Sequence, residues 1–191
     1  MNKPYVIGIA GGSASGKSTF ADALTTALDG LTLLVIHMDS YFKPSEQRPY
    51  SAAPITGKQY VDDNHPLSMD LPKLTFDLEN AISQKQHQVI IVEGLLTLWN
   101  HDIYEKLDLK LFVDCRADER IVRRIKRNME WDLTFDQIAD VYLDLVRYRH
   151  DEYVETSKWK ADVILNGSNP SDKTLEVIVH YVKNDYQLNR E

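Results

Sequence analysis

The sequence has little of several features that mark special classes of protein. It has one cysteine, Cys115, so no intrachain disulfide can form. We therefore expect a reducing compartment, the cytoplasm, and interpret Cys115 as a small buried side chain. Basic residues are outnumbered, with 22 Lys and Arg against 29 Asp and Glu, which gives a net charge of −7. Bulk binding of nucleic acid usually requires a basic surface and is not expected.

Long apolar runs are also missing. None approaches the roughly 18 residues of a membrane span. The first run, Tyr5–Ala10, is not followed by a cleavage pattern, so neither a membrane anchor nor an export signal is expected. The sequence has 43% hydrophobic and 27% charged residues, which is typical of a globular protein. We expect a single domain over residues 1–191, because a chain of this length buries about 70% of its unfolded surface.

Short apolar runs alternate with helical patterns along the chain. The apolar runs, predicted as strands covered on both faces, are Tyr5–Ala10, Leu31–His37, Val89–Val92, Leu109–Val113 and Asp162–Leu165. The helical patterns occupy Lys17–Leu28, Leu71–Lys85, Asp118–Glu130, Phe135–Val154 and Ser171–Lys183. The alternation predicts a three-layer α/β fold with a central parallel sheet of about five strands. The one irregular stretch, Lys43–His65, is rich in Pro, Ser, Gly and Gln, and we expect a mobile loop there.

A glycine-rich segment joins the first predicted strand to the first helix and matches G-x-x-x-x-G-K-[ST]. Its residues are Gly11, Gly12, Ser13, Ala14, Ser15, Gly16, Lys17, Ser18 and Thr19. The backbone N–H groups of such a loop surround phosphate oxygens, and the helix N-terminus adds a partial positive charge. Lys17 is predicted to reach the β- and γ-phosphates of a bound nucleotide and Ser18 to bind Mg²⁺. An ordinary glycine-rich turn is the alternative.

Acidic side chains follow two of the predicted strands. Asp39 comes just after Leu31–His37, and Glu93 ends the apolar run of the third strand. Ligands of parallel sheets gather at these carboxyl ends. Asp39 is predicted to accept the proton of an attacking hydroxyl or to help hold the metal, and Glu93 to hold a Mg²⁺-bound water beside Ser18. The alternatives are that Asp39 or Ser40 caps a short helix and that Glu93 is simply an acid in a turn.

Basic residues crowd the helical pattern Asp118–Glu130. Arg124 and Arg127 lie near one face of it and are predicted to reach phosphates from a mobile lid at about 127–134. The alternative is a charged face in solvent, an alternative that is stronger for the second basic pair, Arg147 and Arg149. The three tryptophans are interpreted as packing residues, namely Trp99, Trp131 and Trp159.

These segments together resemble the uridine kinase and phosphoribulokinase family of P-loop kinases. The matching stretches, from Tyr5 to about Asn166, are IGIAGGSASGKST, MDSYF, VIIVEGLL, FVDCRADERIVRRIKRN and EYVETSKWKADVI. The resemblance implies ATP- and Mg²⁺-dependent phosphorylation of a primary hydroxyl, in that family the 5′-hydroxyl of a ribonucleoside. It implies that Asp39 is the catalytic base, that Glu93 lies near the metal, and that the lid arginines contact phosphates. The residues that we expect to bind the acceptor are Tyr41, Phe42, Asp62, Asp63, Asn64, Arg147 and Arg149.

The sequence also departs from the uridine kinase pattern. The Glu-Arg-Gly-Arg lid tip is replaced by Met129–Leu133, and Asp-His-Pro by Asn64-His65-Pro66. The pyrimidine-reading hairpin that precedes the third strand is not found, because 71–88 indicates one helix and a turn. Nicotinamide riboside kinases, which look similar, lack that hairpin, and a Lys-Tyr-Arg stretch in them resembles Arg147–Arg149.

We therefore expect a kinase whose acceptor is the 5′-hydroxyl of a nucleoside, with uridine or cytidine first. The alternative acceptor is nicotinamide riboside or another ribosyl or small hydroxylated metabolite. A GTPase switch is disfavoured, since Val92-Glu93-Gly94 stands where Asp-x-x-Gly should follow the third strand. A module that senses ATP without turning it over is the rival from another class. The sequence leaves open the acceptor, the preference between ATP and GTP, and the oligomeric state, a homo-oligomer included.

Overall fold

The computed structural model describes residues 3–188 and has a central sheet of five parallel strands. The strands in chain order are β1 (Tyr5–Gly11), β2 (Leu33–His37), β3 (Tyr50–Ala52), β4 (Gln59–Val61), β5 (Val89–Gly94), β6 (Leu109–Asp114) and β7 (Val163–Asn166). The order across the central sheet is β2-β5-β1-β6-β7. All seven residues of β1, the middle strand, are buried. The predicted α/β fold with about five parallel strands is confirmed.

Helices cover both faces of this sheet. They are α1 (Lys17–Ala27), α2 (Leu71–Gln84), α3 (His101–Tyr104), α4 (Ala117–Met129), α5 (Phe135–Val141), α6 (Arg147–Arg149) and α7 (Asp172–Leu188). Two π-helical turns and a 3₁₀ turn extend α5 and α6 into one stretch, Phe135–Lys160, which we call the long helix. It ends six residues beyond the predicted end at Val154. Within residues 3–188, no helix has the length and apolar character needed to cross a membrane.

The alternation of side chains along β1 separates two hydrophobic cores. Val6 and Ala10 join a cluster with the buried face of α2, which contributes Leu74 and Leu78. The intervening side chains of β1 join a second cluster with residues of α1 and α7. Since each fully buried aliphatic side chain contributes about 1.5–3 kcal/mol, these two layers hold the strand ends rigidly in place.

The stretch predicted as an irregular loop, Lys43–His65, contains regular structure. Strands β3 and β4 pair antiparallel as a small hairpin. Polar contacts dock it on the long helix: the Tyr60 hydroxyl donates to Asp144 at 2.7 Å, and the Thr56 hydroxyl donates to the same carboxylate at 3.0 Å. Each strand has only three residues, which is too short for a periodicity to appear in the sequence.

The connection from α2 to β5 is short. Only residues 85–88 separate the helix from the strand. Lys85 ends the helix with a left-handed backbone at φ 53°, and the Gln88 N–H donates to the Thr32 carbonyl at 2.8 Å. The prediction of one helix and a turn over 71–88 is correct, and no hairpin lies between α2 and β5.

Candidate active site

The phosphate loop, Gly11–Gly16, connects β1 to the first turn of α1. Ala14 and Gly16 have left-handed backbones, with φ of 63° and 99°. Such residues turn successive N–H groups toward one side and make a concave surface for anions, to which the N-terminus of α1 adds its field. The other predicted residues of the motif lie in the loop or in that first turn: Gly12, Ser13, Ser15, Lys17, Ser18 and Thr19. The backbone geometry is therefore suited to binding phosphate oxygens.

A polar corner lies where α1 meets the end of β5. The Ser18 hydroxyl is 3.2 Å from each carboxylate oxygen of Glu93. The sheet register places Glu93 beside His37 of β2, whose Nδ1 lies 2.8 Å from Oε1. Glu93 is 2% exposed, so its carboxylate needs such partners. Hydroxyl and carboxylate oxygens are the hard donors that Mg²⁺ prefers, so this corner fits that ion. Sequence reasoning did not anticipate His37 here.

Asp39 lies in a 3₁₀ turn, Met38–Tyr41, that directly follows β2. The turn is anchored by Met38, which is fully buried and packs against Gly94 at the end of β5. A Cβ at Gly94 would collide with the Met38 side chain, so the close approach requires glycine there. With Met38 directed inward, Asp39 is exposed and lines a cavity beside the phosphate loop.

This cavity has a volume of about 850 Å³ and brings together elements that are far apart in the chain. Ser13 and Lys17 line the cavity from the phosphate loop and the first turn of α1, and Asp39 lines it from the turn after β2. The apolar part of the lining comprises Phe42, Val61, Met69, Leu95, Trp131, Leu133, Ile138 and Val141. The cavity therefore joins polar groups of the phosphate loop and of the turn after β2 to a large set of apolar side chains, with Arg48, Asp63 and Asn64 also on its wall.

Two arginines of α4 meet the phosphate loop at one hydroxyl. Arg124 Nη1 donates to Ser13 Oγ at 2.8 Å, and Arg127 Nη2 donates to the same atom at 3.4 Å. Burial, and then the charge of Arg127, lower the pKa of Arg124 below its usual value. Arg124 Nε is buried and has no hydrogen-bond partner among the described residues. Among residues 3–188 no carboxylate forms an ion pair with either guanidinium, although the charge of Asp63 acts on the pKa of Arg124 in the opposite direction. Two adjacent guanidinium groups of this kind form a site that an anion would stabilise.

Three of the predicted acceptor contacts line the cavity, namely Phe42, Asp63 and Asn64. Arg48, which the sequence did not single out, connects two of them. Its Nη1 lies 2.9 Å from Asp63 Oδ1, and its Cζ lies 4.8 Å from the centre of the Phe42 ring. No sequence signal marked Arg48, because it lies in the stretch without periodicity.

The other four predicted acceptor residues do not line this cavity. Tyr41 donates to Asp77 of α2 at 2.9 Å, and burial together with that carboxylate raises the pKa of Tyr41 to about 12. Asp62, 1% exposed, forms an ion pair at 2.6 Å with Arg149, which also donates to Ser51 of β3. Arg147 is exposed and stacks on its neighbour Tyr148. In this structure these side chains hold elements together or face solvent.

The interpretation of all three tryptophans as packing residues is wrong for two of them. Trp99 packs against the core, whereas Trp131 is 62% exposed and Trp159 is 78% exposed. Trp131 follows α4 in a turn in which Asp132 has a left-handed backbone at φ 60°. It lines the cavity, and the Arg127 guanidinium lies 5.3 Å from its ring centre. The sequence signal that could have placed Trp131 at the site is its position just after the basic helical pattern.

The fold and the site define a class of protein: a parallel α/β sheet whose first strand leads into a phosphate loop is a P-loop nucleotide-binding protein. The model of the phosphoribulokinase / uridine kinase family matches residues 56–174. Curated proteins named uridine kinase, from Bacillus thuringiensis (strain Al Hakam) and Bacillus cereus (strain AH187), are each 33% identical over 93% of this chain and 92% of their own. The chain belongs to the phosphoribulokinase / uridine kinase family.

Solved structures show the same fold. One, described as that of a possible uridine kinase from Bacillus stearothermophilus, has a TM-score of 0.58 and 20% identity over 86% of this chain and 89% of its own. Another, TT1252 from Thermus thermophilus, has a TM-score of 0.59 and 19% identity over 96% and 98%. As a member of this family, the chain is a P-loop kinase that uses ATP and a small-molecule acceptor.

Proposed function

We propose that the protein transfers the γ-phosphate of ATP to a primary hydroxyl of a small metabolite, with the 5′-hydroxyl of uridine or cytidine as the first candidate. One observation carries this proposal: Asp39 and Lys17 line the same cavity, with Arg124 and Arg127 on its wall. A base, a phosphate-binding cation and additional positive charge are the parts that phosphoryl transfer to an alcohol requires.

In this proposal each group has a distinct task. Asp39 accepts the proton of the acceptor hydroxyl. Lys17 and the two arginines carry charge that spreads over the transferred phosphoryl group. Ser18 and Glu93 hold Mg²⁺, which neutralises phosphate charge when bound. Phe42, Asp63 and Asn64 contact the acceptor.

We propose further that residues 1–191 form one kinase domain, with a lid at 127–134 and a mobile acceptor-side loop at 43–65. Both segments contribute residues to the cavity, among them Trp131 and Asn64. Their closure would exclude water, which would otherwise accept the phosphoryl group. The single cysteine, buried Cys115, supports a cytoplasmic location for the protein.

The relatives named uridine kinase support a nucleoside as the acceptor. A specific observation favours a second candidate, nicotinamide riboside or another ribosyl metabolite: the connection 85–88 between α2 and β5 has no room for a base-reading hairpin. In both candidates a ribose presents a primary hydroxyl toward Asp39, so they differ in the ring that the rest of the cavity receives.

A panel of acceptors tests both candidates. The protein is incubated with ATP, Mg²⁺ and single acceptors, including uridine, cytidine, adenosine, guanosine, nicotinamide riboside and fructose, and the products are identified by mass. We expect ADP and one 5′-monophosphate, with Asp39→Asn as the inactive control. Binding of ATP without any phosphorylated product would contradict a kinase for these acceptors and favour an ATP-sensing module.

A further inference from the structure

Two buried polar side chains pack against Gly12 of the phosphate loop and have no part in the proposed chemistry. Arg120 of α4 is 6% exposed and His150 of the long helix is 9% exposed. Both face Gly12. A Cβ built at Gly12 would lie 2.6 Å from Arg120 Nη1 and 2.9 Å from His150 Cε1. The pair therefore packs directly against the loop at Gly12.

Hydrogen bonding defines the state of His150. Arg120 can only donate, and its Nη1 lies 3.4 Å from His150 Nδ1, so Nδ1 is the acceptor. The proton of the neutral ring is then on Nε2, which lies 3.4 Å from Glu155 Oε2. Arg120 Nε donates to the Cys115 carbonyl at 3.0 Å, just after β6. A neutral histidine thus connects a cation on one side to a carboxylate on the other.

This chain of contacts closes on itself. Lys158 Nζ lies 3.0 Å from Glu155 Oε1 and 2.9 Å from Asp114 Oδ2, at the end of β6. These contacts therefore join β6, α4 and the long helix. We call the connected residues the polar ring, and they are Cys115, Arg120, His150, Glu155, Lys158 and Asp114. Arg124, one turn beyond Arg120 on α4, donates to Ser13 of the phosphate loop. Movement of the ring would displace both the loop and its arginine.

The groups that face His150 favour its neutral form. Burial, and then the charge of Arg120, lower the pKa of His150 below its ordinary value, while Glu155 and Asp151 act in the opposite direction. A protonated ring could no longer accept from Arg120 and would place two cations side by side at Gly12. The polar ring is therefore intact when His150 is neutral and is disrupted as pH falls through its pKa.

We propose that Arg120 and His150 are positioning residues that fix the phosphate loop in its nucleotide-binding shape through the polar ring. They contact Gly12 and do not line the cavity, so they act through the loop. The proposal rests on nucleotide binding by the phosphate loop and is independent of which acceptor the enzyme uses.

The test measures binding of a non-hydrolysable ATP analogue with Mg²⁺ to the full chain by calorimetry. We expect His150→Leu, which cannot accept from Arg120, to weaken binding about tenfold through misplacement of the loop. His150→Gln, which can both accept and donate, should restore most of the affinity. His101→Leu is the matched control, because His101 and its partner Glu105 are both exposed, and this variant should bind as the wild type does.

Equal affinity of wild type, His150→Leu and His150→Gln would overturn the proposal, since a purely structural role changes the melting temperature and not the affinity of the folded protein. If His150→Leu does not fold, the pH profile decides. As pH falls below 6.5, the ordinary value from which burial lowers the pKa of His150, and down to the lowest pH at which both proteins stay folded, wild-type affinity should fall relative to that of His150→Gln, because His150 is the one titratable group in which the two proteins differ. A constant ratio of the two affinities would refute the role of His150.

Discussion

Asp39 owes its position to the residue before it. Met38 is buried against Gly94, so the turn after β2 can present the next side chain only toward the cavity. The sequence showed an acid after an apolar run, but it could not distinguish a helix cap from a group in a cavity. Packing of the neighbouring residue makes that distinction.

Replacing Asp39 with Asn tests its role as the base. The amide keeps the size of the side chain but cannot accept a proton, so kcat should fall by about 10²–10⁴-fold. Binding of ATP, measured by calorimetry, should change little, because the phosphate loop and Lys17 are intact. Turnover near the wild-type value would remove Asp39 from the mechanism.

Glu93→Gln should raise the Mg²⁺ concentration for half-maximal rate by about 10–100-fold, because a charged oxygen beside Ser18 is lost. The measurement is a titration with magnesium chloride at saturating ATP. Glu105→Gln, at an exposed glutamate that does not line the cavity, serves as the control and should leave the titration unchanged. An unaltered magnesium requirement in Glu93→Gln would contradict the metal site.

At the scale of elements, α4 contributes two arginines to the phosphate loop and one to the polar ring. The sequence could predict the basic face from spacings of three and four residues. It could not predict which arginines point to phosphate, to solvent or to the core, because that depends on the angle at which α4 crosses the sheet.

Arg124→Met removes one guanidinium at Ser13 while keeping much of the side-chain volume. We expect kcat to fall by about 10²–10³-fold, as when one donor to a charged transition state is lost. Arg116→Met, an exposed arginine paired with Asp118 just before α4, is the control and should retain wild-type kinetics. Comparable loss in both variants would indicate a general effect of charge on the helix.

The ion pair between Asp62 and Arg149 fixes the segment after β4 to the long helix. Arg149→Met would leave the Asp62 carboxylate buried without its partner, so the free energy of unfolding in urea should fall by about 3–5 kcal/mol. Adding Asp62→Asn should recover part of this loss. Arg147→Met, at an exposed neighbour, should change stability by less than about 0.5 kcal/mol. No recovery in the double variant would show that the two charges are not coupled.

For the whole molecule, the parallel sheet was predictable because its strands are covered on both faces and appear as continuous apolar runs. The phosphate loop was predictable because both its chemistry and its backbone require glycine. The hairpin β3–β4, Arg48 and the exposure of Trp131 were not predictable, since each depends on how a short irregular segment docks against distant elements. The parts that sequence reasoning missed are thus concentrated on the acceptor side.

Closure of the molecule around its substrates should be visible in the fluorescence of Trp131, which is 62% exposed at the cavity. If the proposed lid closes over ATP and the acceptor, the emission should shift to shorter wavelength as this ring leaves water. Trp131→Phe should abolish the shift, whereas Trp159→Phe should preserve it, because Trp159 does not line the cavity. A shift that survives in Trp131→Phe would place the motion elsewhere.

The contact between Met38 and Gly94 couples the positions of Asp39 and Glu93, because each of these acids is the chain neighbour of one of the two packed residues. Asp39 and Glu93 are thereby held at a constant separation by the core, whatever the outer walls do. The walls themselves come from the hairpin, from Arg48 and from the turn after α4, none of which shares that contact. Such a division allows selectivity for the acceptor to be rebuilt by mutation without disturbing the atoms that move the phosphoryl group.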